Sequence, residues 1–110
     1  MMKNQYIVVL ITAKDSLQAK KIALGLLKDR LAACVNIQQG LKSHFWWQGK
    51  IDSATEVLLI AKTKQNLFEK LVSKVKLLHS YDNPEIIALP IVKGSSSYLN
   101  WINESLIDRK

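Results

Sequence analysis

The chain is poor in cysteine, proline and glycine: one, two and four of them in 110 residues. A lone Cys34 excludes an internal disulfide framework and every paired-cysteine zinc or redox motif. So few glycines and prolines exclude collagen-like and linker chains. No apolar run approaches the ~18 consecutive residues of a membrane span. The N-terminal Met1-Met2-Lys3-Asn4-Gln5-Tyr6 leads into a short apolar segment with no small-residue cleavage site, so a cytoplasmic location is expected. Catalytic signatures are missing as well: there is no GxSxG elbow, P-loop, HExxH or Rossmann glycine pattern. Acidic residues are scarce in one half. Residues 1–50 hold eight basic and two acidic side chains, against eight and seven in 51–110, and the net charge is +7. Such a surplus either attracts anionic ligands or nucleic acid, or simply solvates helix faces.

What is present is an ordinary globular composition, 48% hydrophobic and 23% charged, in a length that suits one domain spanning 1–110. Tyr6–Ile11 is a β-branched and apolar run that reads as a strand buried on both faces. Asp15 and Gln18 are spaced as a capping box for a helix whose inner stripe is Ala19, Ile22, Ala23, Leu26 and Leu27. Gly25 inside that helix implies a close approach by another backbone. Leu31–Ile37 reads as a second strand, continued past a Gly40 kink or bulge through His44–Trp47. Gln48-Gly49-Lys50 reads as a hairpin turn, and a long third strand follows from Ile51, strongest over Val57–Ala61. Leu67, Phe68, Leu71, Val72, Val75 and Leu78 recur at helical spacing until Pro84 excludes further helix. Glu85–Val92 is a fourth strand, placed at an edge or bulge by Pro90. Ser95–Ser97 opens a last helix with Tyr98, Leu99, Ile102 and Leu106 inward. The order β-α-β-β-α-β with an added C-terminal helix and a long β-hairpin predicts an α+β, ferredoxin-like sandwich.

That fold hosts many activities, so function must come from sites. A phosphate-hydrolysing loop needs glycine and arginine, and Thr12–Ser16 has neither. Cys34 in an Ala-Ala-Cys-Val string reads as a packed small hydrophobe rather than a nucleophile. RNA binding needs aromatics on the central strands, but Tyr6–Ile11 and Val57–Ala61 are aliphatic, and Phe45, Trp46 and Trp47 sit near the hairpin tip. The soft or borderline metal donors Cys34, His44, His79, Met1 and Met2 share no recognised ligand spacing. One chain therefore does not build a closed metal site, and a site shared between subunits remains open.

Several strings nevertheless stand in a specific register: Leu31-Ala32-Ala33-Cys34-Val35-Asn36; Ser43, Phe45, Trp47, Gly49 and Ile51, with Glu56 and Lys62-Thr63 behind them; Leu78-His79-Ser80-Tyr81 with Pro84-Glu85-Ile86; and Pro90, Gly94, Tyr98-Leu99 and Trp101. Together, from Val8 to about Leu106, they resemble the CutA (CutA1) divalent-cation-tolerance family. The resemblance implies a non-enzymatic homotrimer, architecturally related to PII signalling proteins and associated with tolerance to copper and other divalent cations. It implies an inter-subunit cleft with His79 and Cys34 as metal donors, and Glu56, Lys62, Tyr81 and Glu85 as further lining. Those same polar groups would equally serve as a satisfied network that locks the assembly. Phe45, Trp46 and Trp47 would be trimer-interface anchors, as the apolar surface of an overlong hairpin also suggests. The chain departs from the family at Lys14 and Ser80, where proline is usual. It departs again at Ile11 and Leu78, where copper donors have been placed in some members; of those three donor positions only His79 keeps a ligand. The alternative within the same frame is a PII-like sensor that binds an anionic metabolite through Lys62.

Overall fold

The computed structural model describes residues 5–107, so Met1 and Met2, counted above among the soft donors, lie outside the described residues. Continuous apolar runs build the central strands of the sheet. Strand β1 is Tyr6–Ala13, β2 Cys34–Trp47, β3 Lys50–Lys64 and β4 Ile86–Pro90; helix α1 is Ser16–Lys28, α2 Phe68–Leu78 and α3 Ser96–Ser105. The four strands run in the order β2-β3-β1-β4, every neighbouring pair antiparallel. This is the ferredoxin-like arrangement expected from the element order. Pro90 does sit on an edge strand, where its missing N–H interrupts no second ladder.

One sheet face carries Ile7, Val9, Ile11 and Ala13 of β1 and Val57, Leu59 and Ala61 of β3, all buried in a single core with Ala19, Ile22, Leu26, Leu71 and Val75 of α1 and α2. The other face carries Val8, Leu10, Leu58 and Ile60, only half-buried. The run Tyr6–Ile11 is therefore covered fully on one face, not on both. Helix α3 meets that second face at one end of the sheet, where Asn103 Oδ1 accepts from Lys64 Nζ at 2.9 Å. Ile102 is fully buried there, outside the main core cluster.

Two boundaries shift for local reasons. The second strand starts at Cys34 rather than Leu31, because α1 ends in a left-handed turn at Arg30 (φ 58°). Arg30 N donates to Leu27 O and Leu31 N to Leu26 O, the paired bonds of a Schellman terminus made without glycine. Leu31 and Ala32 then plug the end of the core. The fourth strand stops at Pro90, short of Val92. At Gly25 the close neighbour is a side chain, not a backbone: an added Cβ would lie 2.6 Å from Leu78 Cδ1.

The hairpin follows its glycines. Gln48 and Gly49 both have positive φ (53° and 79°), as a two-residue type I′ turn requires. Between Gln38 and Leu41 the β2–β3 register slips by one residue, and Gly40 (φ 79°) holds that bulge. Since β1 pairs with β3 only from Val57 onward, residues 39–56 project as a two-stranded ribbon beyond the sheet. Cross-strand pairing places Phe45 and Trp47 on one ribbon face and Trp46 with Ile51 on the other, so the aromatic cluster is divided between two faces. Trp46 and Ile51 are 73% and 70% exposed.

Candidate functional site

Of the cleft residues singled out above, all but Glu85 gather in two places. The first lies where β1 and α2 end. Asp15 caps α1, its Oδ1 accepting from Gln18 N at 2.8 Å. The Gln18 side chain does not return to close a capping box. It bridges instead to the other helix, Nε2 donating to Leu78 O (3.2 Å) and Oε1 accepting from Ser80 N (2.7 Å). This bridge ties the start of α1 to the segment carrying His79 and Tyr81. Tyr81 N donates to His79 Nδ1 (3.0 Å), so Nδ1 is the acceptor, the hydrogen resides on Nε2, and Nε2 donates to Thr12 O (2.7 Å). Both ring nitrogens are thus engaged within the chain. The His79 and Tyr81 rings lie 4.7 Å apart, and Tyr81 Oη donates to Glu56 Oε2 at 2.8 Å. Glu56 is only 8% exposed, and this phenol is what satisfies its carboxylate. Burial, then the hydrogen bond and charge of Glu56, push the Tyr81 phenol up to about 12.

The second cluster lies at the α3 end of the same sheet face. Cys34 pairs with Lys62 across the β2–β3 ladder. Lys62 Nζ is 4.0 Å from Cys34 Sγ and donates to Asn36 Oδ1. The Tyr98 phenol is raised by burial and by the Cys34 thiol beside it. Tyr98 in turn stacks on Trp101, centroids 5.4 Å apart.

Glu56 and Lys62 are six residues apart on one strand, about 20 Å at the usual rise. His79 touches Thr12, which pairs with Leu58, four residues from the Cys34 partner Lys62, or about 13 Å. Within one chain, His79 and Cys34 cannot share an ion. Glu85 is exposed ahead of β4 and joins neither cluster. Among the described residues there is no group of three or more His, Cys, Asp and Glu side chains able to hold a metal. Among the described residues a single chain therefore does not fit a resident divalent cation: the one buried carboxylate, Glu56, is taken by a phenol and His79 by two backbone groups. The residues that motif reasoning missed are Gln18, Thr12 and Asn36. Gln18 had a signal, since it is a polar side chain beside the buried stripe of α1. Thr12 contributes only a backbone carbonyl, which no motif can carry.

Residues 7–105 match the family described as CutA1 divalent ion tolerance protein. The divalent-cation tolerance protein CutA of Thermus thermophilus is 49% identical over 98 residues, 89% of this chain and 95% of that protein. The chloroplastic protein CutA of Arabidopsis thaliana is 48% identical over 90% of this chain, and this chain spans only 54% of it. The solved structure of the periplasmic divalent cation tolerance protein CutA from Archaeoglobus fulgidus superposes with a TM-score of 0.90 at 44% identity, covering 93% of this chain and 99% of that one. Among the described residues no helix is long and apolar enough to cross a membrane.

Proposed function

The chain belongs to the CutA1 divalent ion tolerance family, and on that premise we propose that it acts as one domain in a homotrimer that takes part in divalent-cation tolerance by binding rather than by catalysis. The observation that carries this reading is the projecting ribbon. It presents Phe45 and Trp47 on one face and Trp46 and Ile51 on the other, largely exposed, with the half-covered sheet face beside it. A monomer would leave that apolar surface in water, whereas a ring of three gives each ribbon a neighbour on either side. Aromatic anchors of this kind are what interfaces favour.

Divalent cations, copper among them, then bind in the clefts between subunits, where donors from two chains supplement what one chain lacks. Cys34 is the soft donor. His79 is the second donor only if it releases Thr12 O or Tyr81 N, so binding through it is weak. Glu56, Lys62, Tyr81 and Glu85 complete the cleft lining in this proposal. The compartment we propose is the cytoplasm, although relatives carry chloroplastic and periplasmic descriptions.

Native mass spectrometry before and after addition of copper(II) and zinc(II) tests both parts. A trimer taking up a small fixed number of ions, fewer in Cys34→Ser or His79→Ala, is the expected result. A monomer overturns the assembly, and a trimer that stays metal-free overturns the cation site. A second reading has its own support. Lys62, Asn36, Cys34 and Tyr98 form a half-open cationic and hydrogen-bonding cluster suited to an anionic metabolite, as in a PII-like sensor. Thermal stabilisation by anionic metabolites but not by metal ions, lost in Lys62→Met, would select that reading.

A further inference from the structure

The two helices that cover the core, α1 and α2, carry six lysines (Lys20, Lys21, Lys28, Lys70, Lys74 and Lys76) against Glu69 as the one acid, a net +5 of the chain's +7. Only Lys74 is drawn into an ion pair among the described residues, with Asp29 at 3.0 Å. Unusually for so charged a surface, the same outer face projects leucines. Leu17 and Leu77 are 80% and 78% exposed and Leu24 is 54% exposed. On α1 the positions Leu17, Lys21, Leu24 and Lys28 follow the 4-3-4 spacing of a single helical ridge, so leucine and lysine alternate along it. On α2, Lys70, Lys74 and Leu77 share the 4-3 spacing, two lysines followed by a leucine. The Gln18 bridge to Leu78 O and Ser80 N sets the first turn of α1 against the last turn of α2, which brings Leu17 and Leu77 to the same end of the helical layer.

We propose that the outer face of α1 and α2 is a docking surface for an anionic lipid bilayer. Lysines at this density are attracted to a negatively charged headgroup layer, each supplying about fivefold in affinity, the equivalent of ~1 kcal/mol. Leu17, Leu77 and Leu24 enter the interfacial region, where apolar side chains gain by leaving water. The leucines decide between a lipid surface and a nucleic acid. A phosphate backbone offers them nothing, and the aromatics that would stack on bases lie elsewhere, on the ribbon and on α3. The face also lies across the sheet from the surface assigned to subunit contacts, so it does not depend on that assignment.

Co-sedimentation with vesicles tests the proposal, comparing phosphatidylcholine alone with an equimolar mixture of phosphatidylcholine and phosphatidylglycerol. The expected result is binding to the anionic vesicles only, weakening as salt rises. Lys20→Gln with Lys21→Gln should reduce it about fivefold per lysine, and Leu17→Gln with Leu77→Gln about tenfold, with unchanged circular dichroism in both variants. Absence of binding to anionic vesicles at low ionic strength overturns the proposal. So does wild-type binding by the leucine variant, or preferential binding to duplex DNA that the leucine variant retains.

Discussion

Tyr81 shows how one hydroxyl can hold two segments that are distant in sequence. Its phenol satisfies the Glu56 carboxylate, its amide positions His79, and both depend on the Gln18 bridge for the course of the chain. Removing the phenol leaves a carboxylate with 8% exposure and no partner from Tyr81, so Tyr81→Phe should cost about 1–3 kcal/mol in urea unfolding. The pH dependence has a definite sign. The native phenol is raised from 10.0 to about 12, so folding favours the protonated form. The stabilisation is complete below pH 10 and is lost as pH climbs towards 12. Stability of the wild type should therefore fall more steeply over that window than that of Tyr81→Phe. An equal slope would mean that neither burial nor Glu56 raises the phenol. Gln18→Ala removes two hydrogen bonds at once, one to the end of α2 and one to Ser80 just beyond it, and should cost more than Asp15→Ala, which loses one N-cap worth about 1 kcal/mol.

At the scale of elements, the backbone turns are the sensitive points. Gly40 occupies the left-handed region inside the β2 bulge, where a β-branched residue is strained. Gly40→Val should destabilise by about 1–2 kcal/mol and, by disturbing the bulge, shift the register that presents Phe45 and Trp47 on one face. Hydrogen exchange of the residue 41–56 amides would report this as loss of protection confined to the ribbon. Gly25→Ala is the opposite case. The atom it meets, Leu78 Cδ1, is the free end of a flexible side chain, so the propensity gain of about 1 kcal/mol should largely offset the contact. Thermal unfolding within a few degrees of wild type is the expected outcome.

At the scale of the whole molecule, the ribbon and the half-covered sheet face argue for association. Trp46→Glu with Trp47→Glu places charge on both ribbon faces and should convert the trimer we propose to monomer in sedimentation velocity, while a trimer persisting in the variant would move the interface elsewhere. Helices α1 and α2 pack on the core away from the ribbon, so the same variant should retain its helical signal in circular dichroism.

Element order, the hairpin turn and an irregularity at Gly40 were legible in the chain, because they rest on local physics; Pro90 left the fourth strand at an edge or a bulge, and the sheet order decided for the edge. Apolar runs, φ-permissive Gly40 and Gly49, and proline at positions 84 and 90 act within a few residues. Four strings in register pointed to the family, and the match over residues 7–105 agrees. Only the tertiary structure decided which polar residues meet. Motif order could not reveal that His79 and Cys34 stand at separate places along one sheet face. Nor could it reveal that His79 spends both nitrogens on backbone groups, or that Gln18 crosses to the second helix. Strand parity and helix docking make those pairings, and both are properties of the packed sheet that no local stretch of residues encodes by itself.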